Sequence, residues 1–151
     1  MARKPPFRKV LFLVETSKGA LEAARYTLDL VRAADARLLA LSVVDTETLR
    51  QLLSSHILAD QEMRELEKQL EESCRRQLAH VTELAKQAGV KVDALLVKGS
   101  CHREVMRVQR QEQADLIVLA PFRASMAKRD LMANEKQFIA DEADCPVLIL
   151  R

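Results

Sequence analysis

The sequence predicts an α/β fold, a mostly parallel sheet with helices on both of its faces. Short runs of branched apolar residues recur along the chain with no polar alternation, which suits strands buried on two sides. Stretches with apolar residues every three or four positions separate those runs, as amphipathic helices require. The connections are short and the chain holds only 3 glycines, so strands and helices alternate as a βαβ series.

Lys9 to Val14 (KVLFLV) reads as the first strand, entered from a Pro5-Pro6 segment. Glu15 to Gly19 is a tight connection, with Thr16 or Ser17 as the expected N-cap. Ala20, Ala24, Leu28 and Val31 then share one helical face, whose small residues allow close approach to a sheet. Arg37 to Val44 forms the second strand. Residues 46–56 can hold a short helix, with Leu49, Leu52 and Leu53 on one side. From Asp60 to Ala88 an apolar stripe runs through Met63, Leu66, Leu70, Cys74, Leu78, Val81 and Ala85. It predicts a helix about 43 Å long at 1.5 Å per residue, ended by Gly89. Its first turns are expected to overhang the sheet. Lys91 to Val97 is a third, more exposed strand. Ser100 is the expected N-cap of a helix from Cys101 to about Gln113. Asp115 to Ala120 gives the fourth strand and Pro146 to Leu150 the fifth, since proline can begin a strand.

With 151 residues the chain is long enough for one domain with a real core. The reading is a basic tail over residues 1–8, where Arg3, Lys4 and Arg8 flank the prolines, and a single domain over 9–151. A formal net charge of +2, with acids and bases mixed, argues against a nucleic-acid surface. No apolar run reaches the roughly 18 residues of a spanning helix, so no membrane partner is expected and the chain is read as cytoplasmic. Three scattered cysteines, Cys74, Cys101 and Cys145, fit reduced thiols. Nothing in the spacing of Cys, His, Asp and Glu suggests a metal site. Cys101-His102 opens a helix, where a thiol pKa can be lowered; a capped turn is the preferred reading, and Cys145 is read as a small buried hydrophobe. The sequence offers no catalytic constellation.

The run Ala114-Asp115-Leu116-Ile117-Val118-Leu119-Ala120-Pro121 and the ending Cys145-Pro146-Val147-Leu148-Ile149-Leu150-Arg151 resemble the end of the universal stress protein family. That family typically reads D-L-I-V-M-G, G-x2-G-x9-G-[S/T] and C-P-V-L-V-V-R, and the spacing aligns here without a gap. The resemblance implies a Rossmann-like domain similar to the adenine nucleotide alpha hydrolases, with strand order 3-2-1-4-5. It places a candidate ligand crevice where strands one and four part at their carboxyl ends.

In the ATP-binding branch of that family, glycine-loop N–H groups cradle the phosphates. Carried over residue by residue, the glycine positions fall on Ala120, Arg123 and Ala133, and the Ser/Thr on Asn134. Arg123 brings a large side chain into phosphate space, and Pro121 removes a donor. Glu15, with Thr16 beside it, stands where the family usually has Asp, and Val43 matches its contact to the base loosely. The resemblance therefore implies a stress-response binding or signalling module that has lost the ATP motif, with no cofactor and no enzyme activity. A rival reading stays open: Arg123, Lys128 and Arg129 could clamp a nucleotide or other anion by their side chains. Asn134 could also cap the last helix. The family's pairing of last strands implies a homodimer through Val147, Leu148, Ile149 and Leu150, beside a protein partner the sequence does not identify.

Overall fold

The computed structural model describes residues 6–17, 19–54, 59–122 and 131–151. In chain order the elements are β1 (Lys9–Leu13), α1 (Ala20–Ala33), β2 (Arg37–Asp45), α2 (Thr46–Leu53), α3 (Asp60–Gln87), β3 (Val92–Gly99), α4 (Cys101–Glu112), β4 (Leu116–Leu119), α5 (Leu131–Glu142) and β5 (Val147–Ile149). The strands form one sheet in the order β3-β2-β1-β4-β5, and every pairing is parallel. Leu11 lies opposite Leu39 on one side and Ile117 on the other, at the centre of that sheet.

The pleat divides the core in two. Val10, Phe12, Ala40 and Val118 face α1 and α3, packing on Ala24, Leu28, Val31, Val81 and Ala85. Leu11, Leu13, Leu41, Ile117 and Leu119 face α4 and α5, packing on Val105, Val108 and Ile139. Both faces are covered, which is why the strands carry continuous apolar runs. The outer strand β3 is more exposed, as its polar residues suggest. In α3 only Cys74, Leu78, Val81 and Ala85 are buried. Met63, Leu66 and Leu70 in its first half are half-buried.

Two caps differ from expectation, and a third stands at the expected residue without the expected side-chain bond. Gly19, at φ 87°, is the N-cap of α1 in place of Thr16 or Ser17. A left-handed entry suits glycine, and Ser17 instead donates its hydroxyl to Glu15 at 2.6 Å. Ser100 does precede α4, but its side chain makes no capping bond. Two carboxylates from other elements serve instead: Asp45 accepts from the Cys101 N–H at 3.3 Å and Glu135 from the His102 N–H at 3.0 Å. Asn134 lies inside α5 with an exposed side chain, so it does not cap that helix. At the other end of the domain, Asp115 accepts from the Arg8 and Lys9 N–H groups at 2.9 and 3.0 Å, and Phe7 packs on the core. Residues 1–5 of the basic segment lie outside the described residues.

Candidate functional site

The sheet order changes direction between β1 and β4, so a crevice opens at their carboxyl ends. Glu15 emerges there two residues after β1. Across from it, Ala133, Lys136 and Ile139 form the buried stripe of α5. Helical spacing thus points Lys136 inward, and its side chain is 2% exposed against 9% for Glu15. The Lys136 ammonium donates to Glu15 Oε1 and approaches the carbonyl oxygens of Ala120 (3.5 Å) and Pro121 (3.4 Å). It also stands 5.5 Å from the centroid of the Phe122 ring. Protein acceptors therefore surround this buried cation, and the loop after β4 is tied to α5. Glu15 Oε2, the second oxygen of the pair, is buried without a hydrogen-bond partner among the described residues.

One strand over, the ends of β1 and β2 meet α2 and α3 around a cavity of about 250 Å³. Leu13, Val43, Leu49, Leu70, Cys74 and Met132 supply apolar wall, while Glu15, Thr16, Ser42 and Asp45 supply the polar edge. Asp45 is buried, and its carboxylate caps α2 by accepting from Thr48 N–H at 2.9 Å and the Thr48 hydroxyl at 2.8 Å. Cys101 closes the floor. Burial pushes its thiol pKa far above the ordinary range, and the carboxylates of Asp45, Glu135 and Glu15 push the same way against Lys136. Being 2% exposed, it is a protonated packing group; the helix terminus does not activate it. Beside it His102 pairs through Nδ1 with Glu135, and its ring lies 5.0 Å from that of Phe138.

The model of the universal stress protein family matches residues 6–151. The chain belongs to the universal stress protein family. A universal stress protein of Methanocaldococcus jannaschii is 25% identical over 145 residues, covering 96% of this chain and 82% of the relative. Among solved structures, a family member from Burkholderia pseudomallei aligns at TM-score 0.72 with 23% identity, over 94% of each chain. A universal stress protein from Archaeoglobus fulgidus, solved in complex with dAMP, aligns at TM-score 0.62 with 10% identity over 95% of this chain and 98% of that one. At such identities these structures show a shared fold.

Of the residues that sequence singled out in this universal stress protein, Glu15, Thr16 and Val43 line one cavity. Ala120 is buried beneath Lys136, and Ala133 is buried on α5. Asn134 faces away into solvent, and Arg123, Lys128 and Arg129 lie outside the described residues. Val147, Leu148 and Ile149 of β5, the last strand in the sheet order, and Leu150 just after it are all half-buried. Cys145, expected to be buried, is half-exposed beside them, because β5 is an edge rather than an interior strand. Sequence reasoning passed over Lys136, Asp45 and Met132. For Lys136 a signal existed: it is the charged member of an otherwise apolar i, i+3, i+6 stripe. No helix among the described residues is long and apolar enough to cross a membrane.

Proposed function

We propose that this universal stress protein is a non-enzymatic, homodimeric binding or signalling module of the stress response, and that it does not take ATP. The buried Lys136–Glu15 pair carries the reading. A triphosphate entering the β1/β4 crevice would meet a cation already neutralised by a carboxylate, with the carbonyl oxygens of Ala120 and Pro121 at its side. Those acceptors repel phosphate oxygens, where a phosphate cradle needs N–H donors. Ala120, Arg123 and Ala133 at the family's glycine positions work in the same direction.

Solved proteins of this fold include one in complex with cAMP and one in complex with dAMP, so nucleotides are the ligands to test. A thermal-shift titration with Mg-ATP, AMP and cAMP is expected to leave the midpoint unmoved. A ligand at a hundredfold its Kd stabilises by roughly 2.7 kcal/mol, which for this size is a rise of about 5–10 °C. A rise of that size with Mg-ATP would sink the proposal.

The homodimer rests on the open side of β5. Leu150 N–H bonds inward to Leu119 at 3.0 Å, so by strand alternation the Ile149 N–H points outward, free to pair with a second copy. Proline at that position removes the outward donor and leaves the bonds to β4 in place. Sedimentation velocity should show a dimer that Ile149→Pro converts to monomer. A monomeric parent chain would remove this part of the proposal.

A further inference from the structure

We propose that the cavity between β1, β2, α2 and α3 binds a small hydrophobic amine, its ammonium paired with the carboxylate of Glu15. This rests on the reading above that the site does not serve ATP, and adds the ligand class.

Three observations converge. The cavity holds about 250 Å³, whereas cavities of about 150 Å³ accept benzene; a body of two fused rings is the matching size. Leu13, Val43, Leu49, Leu70 and Met132 give that body apolar walls. Glu15 then fixes the polar end. Its side chain is 9% exposed, it lines the cavity, and Oε2 has no partner among the described residues. A buried carboxylate oxygen without a donor is unfavourable, and a ligand N–H would satisfy it.

Charge selects the ammonium over other donors. Glu15 and Asp45 both line the cavity, while its described lining residues include no Lys, Arg or His. Lys136 balances one carboxylate, that of Glu15. Asp45 is satisfied by N–H and O–H dipoles from Thr48 and Cys101, with no cation among those donors. An ammonium restores neutrality, and a phosphate or carboxylate would add to the negative excess. The Cys101 thiol at the floor senses the same field, for beyond burial it is the surrounding carboxylates that hold its proton.

The test is isothermal titration of the full chain with tryptamine, 3-methylindole and indole-3-propionate, which share a bicyclic body and differ in charge. Tryptamine should bind at least about tenfold more tightly than 3-methylindole, the scale of one charge-assisted hydrogen bond. Indole-3-propionate should bind most weakly. Glu15→Gln should abolish the preference for tryptamine and keep the affinity for 3-methylindole. Because that change strips Lys136 of its partner, Glu15→Gln with Lys136→Met provides a variant free of unpaired charge, in which the same loss is expected. Equal binding of tryptamine and 3-methylindole, preference for the acid, or silence from all three at millimolar concentration would overturn the inference. Silence from Mg-ATP and tryptamine together would overturn it alone; binding of Mg-ATP would overturn the proposed function and this inference with it.

Discussion

The β1/β4 crevice and the β1/β2 cavity share Glu15, yet the chain treats them in opposite ways. In the crevice a lysine side chain is buried to fill the space and to meet three protein acceptors. In the cavity a volume of about 250 Å³ is left open with the same glutamate in its lining, one of whose oxygens has no partner among the described residues. Fold alone places a ligand near the strand switch, but it does not decide which side of Glu15 is available. Here α5 decides, because its inward stripe carries Lys136 to the crevice and the neighbouring Met132 lines the cavity.

The largest effect should come from breaking the filled side. Lys136→Met keeps most of the side-chain volume and removes the charge, so it leaves Glu15 buried and uncompensated. Loss of one partner from a buried pair costs about 3–5 kcal/mol. With exposures of 2% and 9%, solvent screening gives little relief. Urea unfolding should show that loss, and Glu15→Leu combined with Lys136→Met should recover most of it, since apolar replacement of both partners is close to neutral. If Lys136→Met unfolds within about 1 kcal/mol of the parent, the pair is not the element that closes the crevice.

How far the sequence foretold this difference depends on which residues carry it. The strands were legible because burial on both faces forces unbroken apolar runs such as Leu116 to Leu119, and α3 because its stripe, Met63 to Ala85, continues for about six turns. Strand order was not legible from period, which describes one element at a time; the motif resemblance supplied it. Glu15 and Thr16 were nominated because they follow a strand at the switch point, and Glu15 and Val43 because the family resemblance sets them near the nucleoside; all three line the cavity. Lys136 escaped because a lysine on a helix ordinarily faces water, and only the company of Ala133 and Ile139 shows that this one does not. The caps failed for a related reason. Local rules nominate Ser17 and Ser100, whereas α1 begins on the left-handed Gly19 and α4 receives its acceptors from Asp45 and Glu135, distant in sequence.

The open side can be probed through Cys101, with a smaller effect. Its folded pKa lies above the unfolded value of 9.0 because of burial first and the carboxylates of Asp45, Glu135 and Glu15 next. Below pH 9 the thiol is protonated in both states and adds no pH dependence. Above it the unfolded chain releases a proton that the folded chain retains, so the unfolded state gains and stability falls as pH rises. The slope for one such group is about 1.4 kcal/mol per pH unit. Lysine and tyrosine side chains titrate in the same range, and subtracting a Cys101→Ala variant isolates the thiol. Urea midpoints between about pH 9 and 10.5 should converge for parent and variant as pH climbs. Parallel lines would mean that the thiol ionises in place, and the floor of the cavity would then be neither as dry nor as negative as an ammonium site requires. Convergence would show that the cavity floor keeps the thiol protonated, as its burial first and the nearby carboxylates next require.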